Sequence, residues 1–266
     1  MSVQRHLLSA AVALALAPAA FAQDKAPTPT ALDTVIVTGT RVSDRTVAES
    51  QSPIDIITPE ALAATGTTEL ATALARALPS LNFPRPAMAD GTSGVRPAQL
   101  RGLSPDQVLI LVNGKRRHIS ALVNVNGTIG RGSSAVDLNT IPVAAIERVE
   151  VLRDGASAQY GSDAIAGVVN LVLKGSGRGG SIALGGGEYS EGDGTQWQVS
   201  GDAGLTLSQG GGTVHVAAQT GHQDMTNRSG PYQGTAPHTG NFPGVGEHAF
   251  KLGDPDVDQT AVSLNA

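Results

Sequence analysis

Apolar residues along this chain follow three different rhythms. The first is a continuous run from Leu7 to Ala17, preceded by Arg5 and His6 and followed by Pro18 and the small-residue end Ala20-Phe21-Ala22. A basic start, an apolar stretch of about 7–15 residues and an A-x-A end are the features of a secretory signal peptide. The run falls short of the ~20 residues that span a bilayer as a helix. Cleavage after Ala22 is expected, and residues 1–22 are set aside from the fold. Residues 23–44 begin polar and proline-bearing, which reads as a flexible leader, and then carry the β-branched run Asp33-Thr34-Val35-Ile36-Val37.

The second rhythm fills residues 45–174 and mixes α and β signals. Ile54 to Ile57 predicts a strand, closed by Thr58-Pro59, where Thr can cap a helix and Pro can start one. A second helix is predicted after Gly66, with Thr67 as cap and Leu70, Leu74 and Leu78 four residues apart, ended by Pro79. Val108 to Val112 is a short apolar strand running into the turn pair Asn113-Gly114. From Ile146 to Arg153 the residues alternate, with Val149 and Val151 on one side and Arg148 and Glu150 on the other. Gly167 to Leu173 supplies another strand. An α+β domain of ordinary size is expected.

The third rhythm begins after Lys174. Glycines cluster and long alternating segments replace the helix signals. Between Thr195 and Leu207, Trp197, Val199, Ala203 and Leu205 fall on one side, and Gln196, Gln198, Ser200, Asp202 and Thr206 on the other. That is a strand with one apolar and one wet face. Thr213 to Thr226 continues the pattern after a glycine-rich turn at 208–212, Ser181 to Gly187 is a weaker strand, and a fourth starts near Val257. The turn is short, whereas Asn227 to Asp256 is long, polar and rich in Gly and Pro. Outer-membrane barrels alternate short and long connections in this way, with strands of about 9–11 residues. A soluble β-sandwich is the competing reading of the pattern.

Composition narrows the field. The chain has no cysteine, which excludes disulfides, thiolate metal sites and cysteine nucleophiles. A net charge of -5 gives no support to nucleic-acid binding. Thirty-three glycines with 3% aromatic residues suit many turns and strands. Candidate chemistry fails on context. Gly175 to Gly180 matches G-x-G-x-x-G, but no helix is predicted to open there, so the stretch reads as a hinge between domains. Asn113-Gly114-Lys115 lacks the remainder of a phosphate loop. His215 and His222 lie seven apart, on opposite faces of a strand, and no H-E-x-x-H or G-x-S-x-G occurs. No catalytic residue, metal ligand or cofactor is expected. Lys115-Arg116-Arg117-His118 could meet an anion or be a solvated loop.

Four stretches carry a family resemblance. AIERVEVLRDGASAQYGSDAIAGVVN at 145–170 closely resembles the C-terminal half of the plug domain of TonB-dependent outer-membrane receptors. LARALPSLNF at 74–83 resembles the plug's helix and following turn, LRGLSPDQVLILVNGKRRH at 100–118 its central strand and hairpin, and DTVIVTG at 33–39 the TonB box. The resemblance implies an α+β plug domain followed by antiparallel strands of a transmembrane β-barrel, with 175–266 as its first strands. Such barrels have about 22 strands, so this chain is expected to be incomplete and unable to transport as it stands. Within the matched stretches, Arg101, Gly102, Asn113, Gly114, Arg148, Glu150, Arg153, Gly155, Tyr160, Gly161 and Gly167 are implied plug-structural residues. Arg148, Glu150, Arg153 and Asp154 could pair with one another or with a barrel wall, or form a solvated face.

Function follows from the resemblance. Asp33 to Val37 is implied to pair by its backbone with the C-terminal domain of TonB, which would supply the energy. Other expected partners are outer-membrane lipid and a small nutrient ligand such as a metal chelate, with the plug and leader reached from the periplasm. Energised uptake is favoured, of an iron-siderophore before haem, cobalamin or oligosaccharide. Residues 85–97 and 119–134 are the candidate ligand-contact loops. The alternative is a soluble periplasmic plug-like binding or signalling module.

Overall fold

The computed structural model describes residues 36, 38–39, 46–50, 52–67, 69–84, 95–125, 130–154, 156–175, 177, 179–207, 211–233 and 252–266. The expected signal peptide, most of the expected leader, Gly155 and much of the 85–97 and 227–256 stretches lie outside the described residues, as do residues 126–129 of the second candidate loop.

The α+β domain is built on β1 (Ile54–Ile57), a two-stranded pair of β2 (Leu81–Asn82) and β3 (Gln99–Leu100), then β4 (Val108–Val112), β5 (Lys115–Arg116), β6 (Ile146–Leu152) and β7 (Gly167–Leu173). The main sheet has the order β1-β6-β7-β4-β5, with β4 and β7 parallel and the other pairs antiparallel. The expected helix after Thr58 is present as Pro59–Ala63, with the Thr58 hydroxyl accepting from the Ala61 amide at 3.2 Å. The next helix starts later than its sequence suggests, at Leu70, and ends at Ala77. Thr67 does not cap it, because its hydroxyl takes the Glu69 amide at 3.1 Å and Glu69 becomes the N-cap. Leu78 precedes Pro79 and is extended, as sterics before proline require.

Burial explains why β6 and β7 occupy the middle. Val149, Val151, Val169 and Leu171 face the two helices and bury against Leu62, Leu70, Leu74, Leu81 and Leu100. On the other face, Leu152 and Val168 pack with Ile54, Leu109, Leu111 and Ile36. A strand covered on both sides should read as nearly continuous apolar sequence. β7 does, with Asn170 as its polar interruption; β6 carries Arg148 and Glu150 as well.

Four longer strands form a separate antiparallel sheet in the order β11-β10-β9-β8: β8 (Gly180–Gly187), β9 (Gln196–Thr206), β10 (Thr213–Gln223) and β11 (Val257–Asn265). β9 and β10 are 11 residues each, at the length of a tilted membrane-crossing strand. Their polarity is inverted relative to a soluble sheet. The outward face shows Ile182, Leu184, Trp197, Val199, Leu205, Val262 and Leu264, with Ile182 79% and Leu264 67% exposed. The covered face carries Ser200, His215 and Gln219, with His215 only 3% and Gln219 6% exposed. Contiguous exposed apolar surface of this kind is rare on a soluble monomer.

Turn chemistry gives a direct test of the fold. Gly167 has φ 143, and a Cβ there would run into the Leu152 carbonyl and the Leu100 side chain. Gly102 has φ 75 but open space around it. Gly102→Ala should therefore cost about 1–2 kcal/mol through backbone strain alone, whereas Gly167→Val should cost more and disrupt the β6–β7 pairing. Urea unfolding of the two variants, compared with the parent chain, checks the order; equal losses would contradict it.

Candidate functional site

Glu150 is the most deeply placed charge in the domain, with 0% exposure, directly opposite Asn170 in the β6–β7 register. A buried carboxylate is tolerated only when donors surround it. Arg148 Nε supplies one at 2.9 Å. Thr38 supplies two, through its amide at 3.0 Å and its hydroxyl at 2.6 Å. The Asn170 amide then donates to the Thr38 hydroxyl at 3.0 Å, and its oxygen accepts from the Gly114 amide at 3.0 Å. Beside this network Ile36 is 98% buried, since only 2% is exposed, and the Gly39 amide donates to the Tyr160 hydroxyl at 3.1 Å. Residues 36, 38 and 39 are thus docked on the domain rather than hanging free of it. Asp33, Thr34, Val35 and Val37 lie outside the described residues.

The other residues singled out in the sequence hold turns and ends. Asn113 and Gly114 both have positive φ, 49 and 75, as the tight β4–β5 turn requires. Asn113 also accepts from the Leu173 amide at 2.8 Å and donates to Asn265 at 3.1 Å. Arg101 has φ 58 and caps the Arg153 carbonyl at 2.6 Å, while Arg153 pairs with Asp55 at 2.7 Å. Asp154 lies 4.0 Å from Arg101. Gly161 has φ 93 and closes the short helix Ser157–Tyr160. The four charges therefore pair within the domain: Glu150 is buried, and the solvated-face reading fails for it. In the basic stretch, Arg116 engages Asp163 and the Tyr160 carbonyl.

The domain sits on the polar face of the four-stranded sheet. The Val143 amide donates to Gln219 at 3.3 Å, Gln259 donates to the Asn139 carbonyl, and Asn265 donates to the Lys174 carbonyl at 3.0 Å. At the opposite end of the sheet, Arg228 binds Asp193 with both guanidinium nitrogens and lies 5.8 Å over the Tyr189 ring. The hydrogen bond from Arg228 holds the Asp193 carboxyl below its ordinary range. This clasp ties the 188–195 connection to the base of the long one.

Residues 46–168 match the TonB-dependent Receptor Plug Domain family. They are a plug domain of the TonB-dependent receptors. The chain is 34% identical to the ferric enterobactin receptor of Pseudomonas aeruginosa over 129 residues, 48% of this chain and 17% of that protein. It is 32% identical to the vitamin B12 transporter BtuB of Vibrio vulnificus over 193 residues, 71% of this chain and 28% of the transporter. A solved structure of a ferric enterobactin receptor variant from Pseudomonas aeruginosa superposes with a TM-score of 0.52 at 25% identity, covering 69% of this chain and 27% of that one. The chain thus spans less than a third of each relative's length. The strands that follow the plug match the start of the barrel in these outer-membrane receptors.

Gly180, the last glycine of the 175–180 stretch, opens β8, so among the described residues a strand and not a helix follows it. One cluster had no signal in sequence spacing. β10 and β11 bring together His222, Asp224, Asp256 and Asp258, with the His222 ring 2.9 Å from Asp258 and 3.0 Å from Asp224. Its members are separated by the long connection, so only the strand pairing reveals it.

Two outcomes follow from the plug network. Thr38→Val removes a hydroxyl from the buried Glu150 carboxylate and should loosen docking of the leader by about 1–3 kcal/mol; limited proteolysis near residue 38, faster in the variant, is the readout. Burial raises the Asp137 carboxyl above its ordinary value, against the lowering effect of the Asn139 amide and Arg117. Its stabilising contribution is greatest below the unfolded carboxyl pKa and is lost as pH rises through the raised folded value. Asp137→Asn keeps the acceptor for the Asn139 amide, and should flatten that part of the plug's stability-versus-pH curve measured by thermal unfolding.

Proposed function

We propose that this chain provides the plug and first wall strands of an energised outer-membrane importer for a scarce nutrient, with iron-siderophore complexes the favoured class. The observation that carries the reading is the inverted sheet: its apolar face is bare, and its polar face is filled by the plug. A soluble periplasmic module would expose that apolar surface to water, at a cost proportional to its area. In a bilayer the same surface meets lipid, and the polar lumen meets the plug.

Transport would use TonB as the energy source, through backbone pairing with Asp33 to Val37. Support comes from Ile36 and Thr38, which bracket the end of this segment and contact the central strands of the plug. The glycine-turn end of the sheet would face the periplasm and the 188–195 and 224–256 connections the outside, with residues 85–97 and 119–134 as plug loops toward the ligand. The role is binding and passage, not catalysis. Relatives named for ferric enterobactin and for vitamin B12 make those two compounds the first probes.

The test is uptake of radiolabelled ferric enterobactin and vitamin B12 by cells carrying a complete receptor that contains this chain, with and without functional TonB. Accumulation that depends on TonB is expected for one of them or for a related chelate. Recovery of the protein in the soluble periplasm, with ligand bound but none imported, would move the assignment to the binding module.

A further inference from the structure

The join between plug and wall is held at more points than a free hinge needs. Lys174 Nζ donates to Asp202 at 3.1 Å, the other Asp202 oxygen lies 3.0 Å from His215 Nε2, and the Ser181 hydroxyl also binds this carboxylate. The Asp202 and His215 side chains are 2% and 3% exposed. The glycines that follow are seated as well. Thr213 donates to the Gly175 carbonyl at 2.7 Å, Thr206 to the Gly177 carbonyl at 3.0 Å, and the Gly204 amide to the Gly179 carbonyl at 2.9 Å. A Cβ on Gly177 would collide with the Thr206 and Thr213 side chains, so the backbone lies flat against β9 and β10. The described glycines of the stretch that its sequence marks as a hinge are clamped.

The leader is attached differently. The contacts of residues 36, 38 and 39 described above all run to the plug itself, to Glu150, Asn170, Tyr160 and the apolar face around Leu152. A pull on the leader is therefore delivered to the middle of β6 and β7. The far end of β7 is fixed to the wall by Lys174, and the Lys174 carbonyl and the Val143 amide are fixed by Asn265 and Gln219.

We propose that Lys174, Asp202 and His215 form a fixed pivot, and that the lumen opens with the C-terminal end of β7 and the Gly175, Gly177 and Gly179 backbone still seated on the wall. Asp202 is the positioning residue, because it holds the Lys174 ammonium, the His215 ring nitrogen and the Ser181 hydroxyl at once. Breaking one partner of such a buried cluster leaves the others uncompensated. The proposal rests on the transport reading above and adds which part of the plug stays in place.

The test introduces Val143→Cys with Gln219→Cys into the complete receptor and bridges the pair after folding with a short bis-thiol reagent. A pivot predicts that TonB-dependent uptake of ferric enterobactin or vitamin B12 is unchanged by the bridge. Loss of uptake to the level without TonB, at unchanged ligand affinity, would overturn it, since the plug would then have to leave this wall. If the unbridged receptor imports neither compound nor a related chelate, the transport reading is what has failed. The pivot is then judged by hydrogen exchange in the detergent-solubilised receptor. The Leu173 and Lys174 amides should exchange more slowly than those of Ile54–Ile57, and Asp202→Asn should erase the difference. Exchange in the parent as fast as β1 would sink the pivot.

Discussion

A sheet whose covered face is polar needs a partner for every buried donor and acceptor on that face. Gln219, Gln259 and Asn265 would otherwise be desolvated groups with nothing to bind, and Asp202 would keep only its sheet partners His215 and Ser181. The plug answers them with Lys174, with the Val143 amide, and with the carbonyls of Asn139 and Lys174. Its short 3-10 turns at Leu138–Thr140 and Val143–Ala145 serve this purpose, since a tight turn projects backbone groups toward the wall that a regular helix would consume internally. Hydrogen bonds and an ion pair join the two units, with small apolar residues such as Ala217 and Ala261 between them.

Inside the plug the logic reverses. Both faces of the central strands are apolar, and Glu150 and Asn170 are placed opposite one another as a buried polar pair. Their hydrogen bonds are completed by Thr38, more than a hundred residues earlier in the chain. A satisfied polar site in an apolar core specifies its occupant closely, because an empty one carries the full desolvation cost. The same two strands therefore receive the leader in their middle and the wall at the end of β7. Through these two strands Thr38 and the four-stranded sheet are attached to the same part of the domain.

Much of this was legible in the sequence. The period-two strands after Lys174 and the Thr58-Pro59 helix start depend on local periodicity and backbone sterics, which neighbouring residues set by themselves. So does the Asn113-Gly114 turn, where two positive φ values fall on residue types that tolerate them. The start of the Leu70–Ala77 helix was less legible, because Thr67 and Glu69 compete as caps and Arg96, 27 residues on, engages Glu69.

The chain by itself determined which residues alternate, where the turns fall and which stretches resemble a plug, since each is a property of adjacent positions. Tertiary structure alone decided which side of the alternating strands is covered, because an apolar face can point to a core or to lipid with the same period of two. It also decided the fate of the charges. Glu150 reads in sequence as one of four charges that could pair or lie on a solvated face, and becomes the buried acceptor of Thr38 only when β1 and β7 flank β6 and Thr38 is laid against them. Likewise, the glycines at 175–180 read as freedom until Thr206, Thr213 and Asp202 are brought to them by strand pairing. Contacts between residues far apart in the chain carry no local signature, so the conversion from hinge to clamp belongs to the fold.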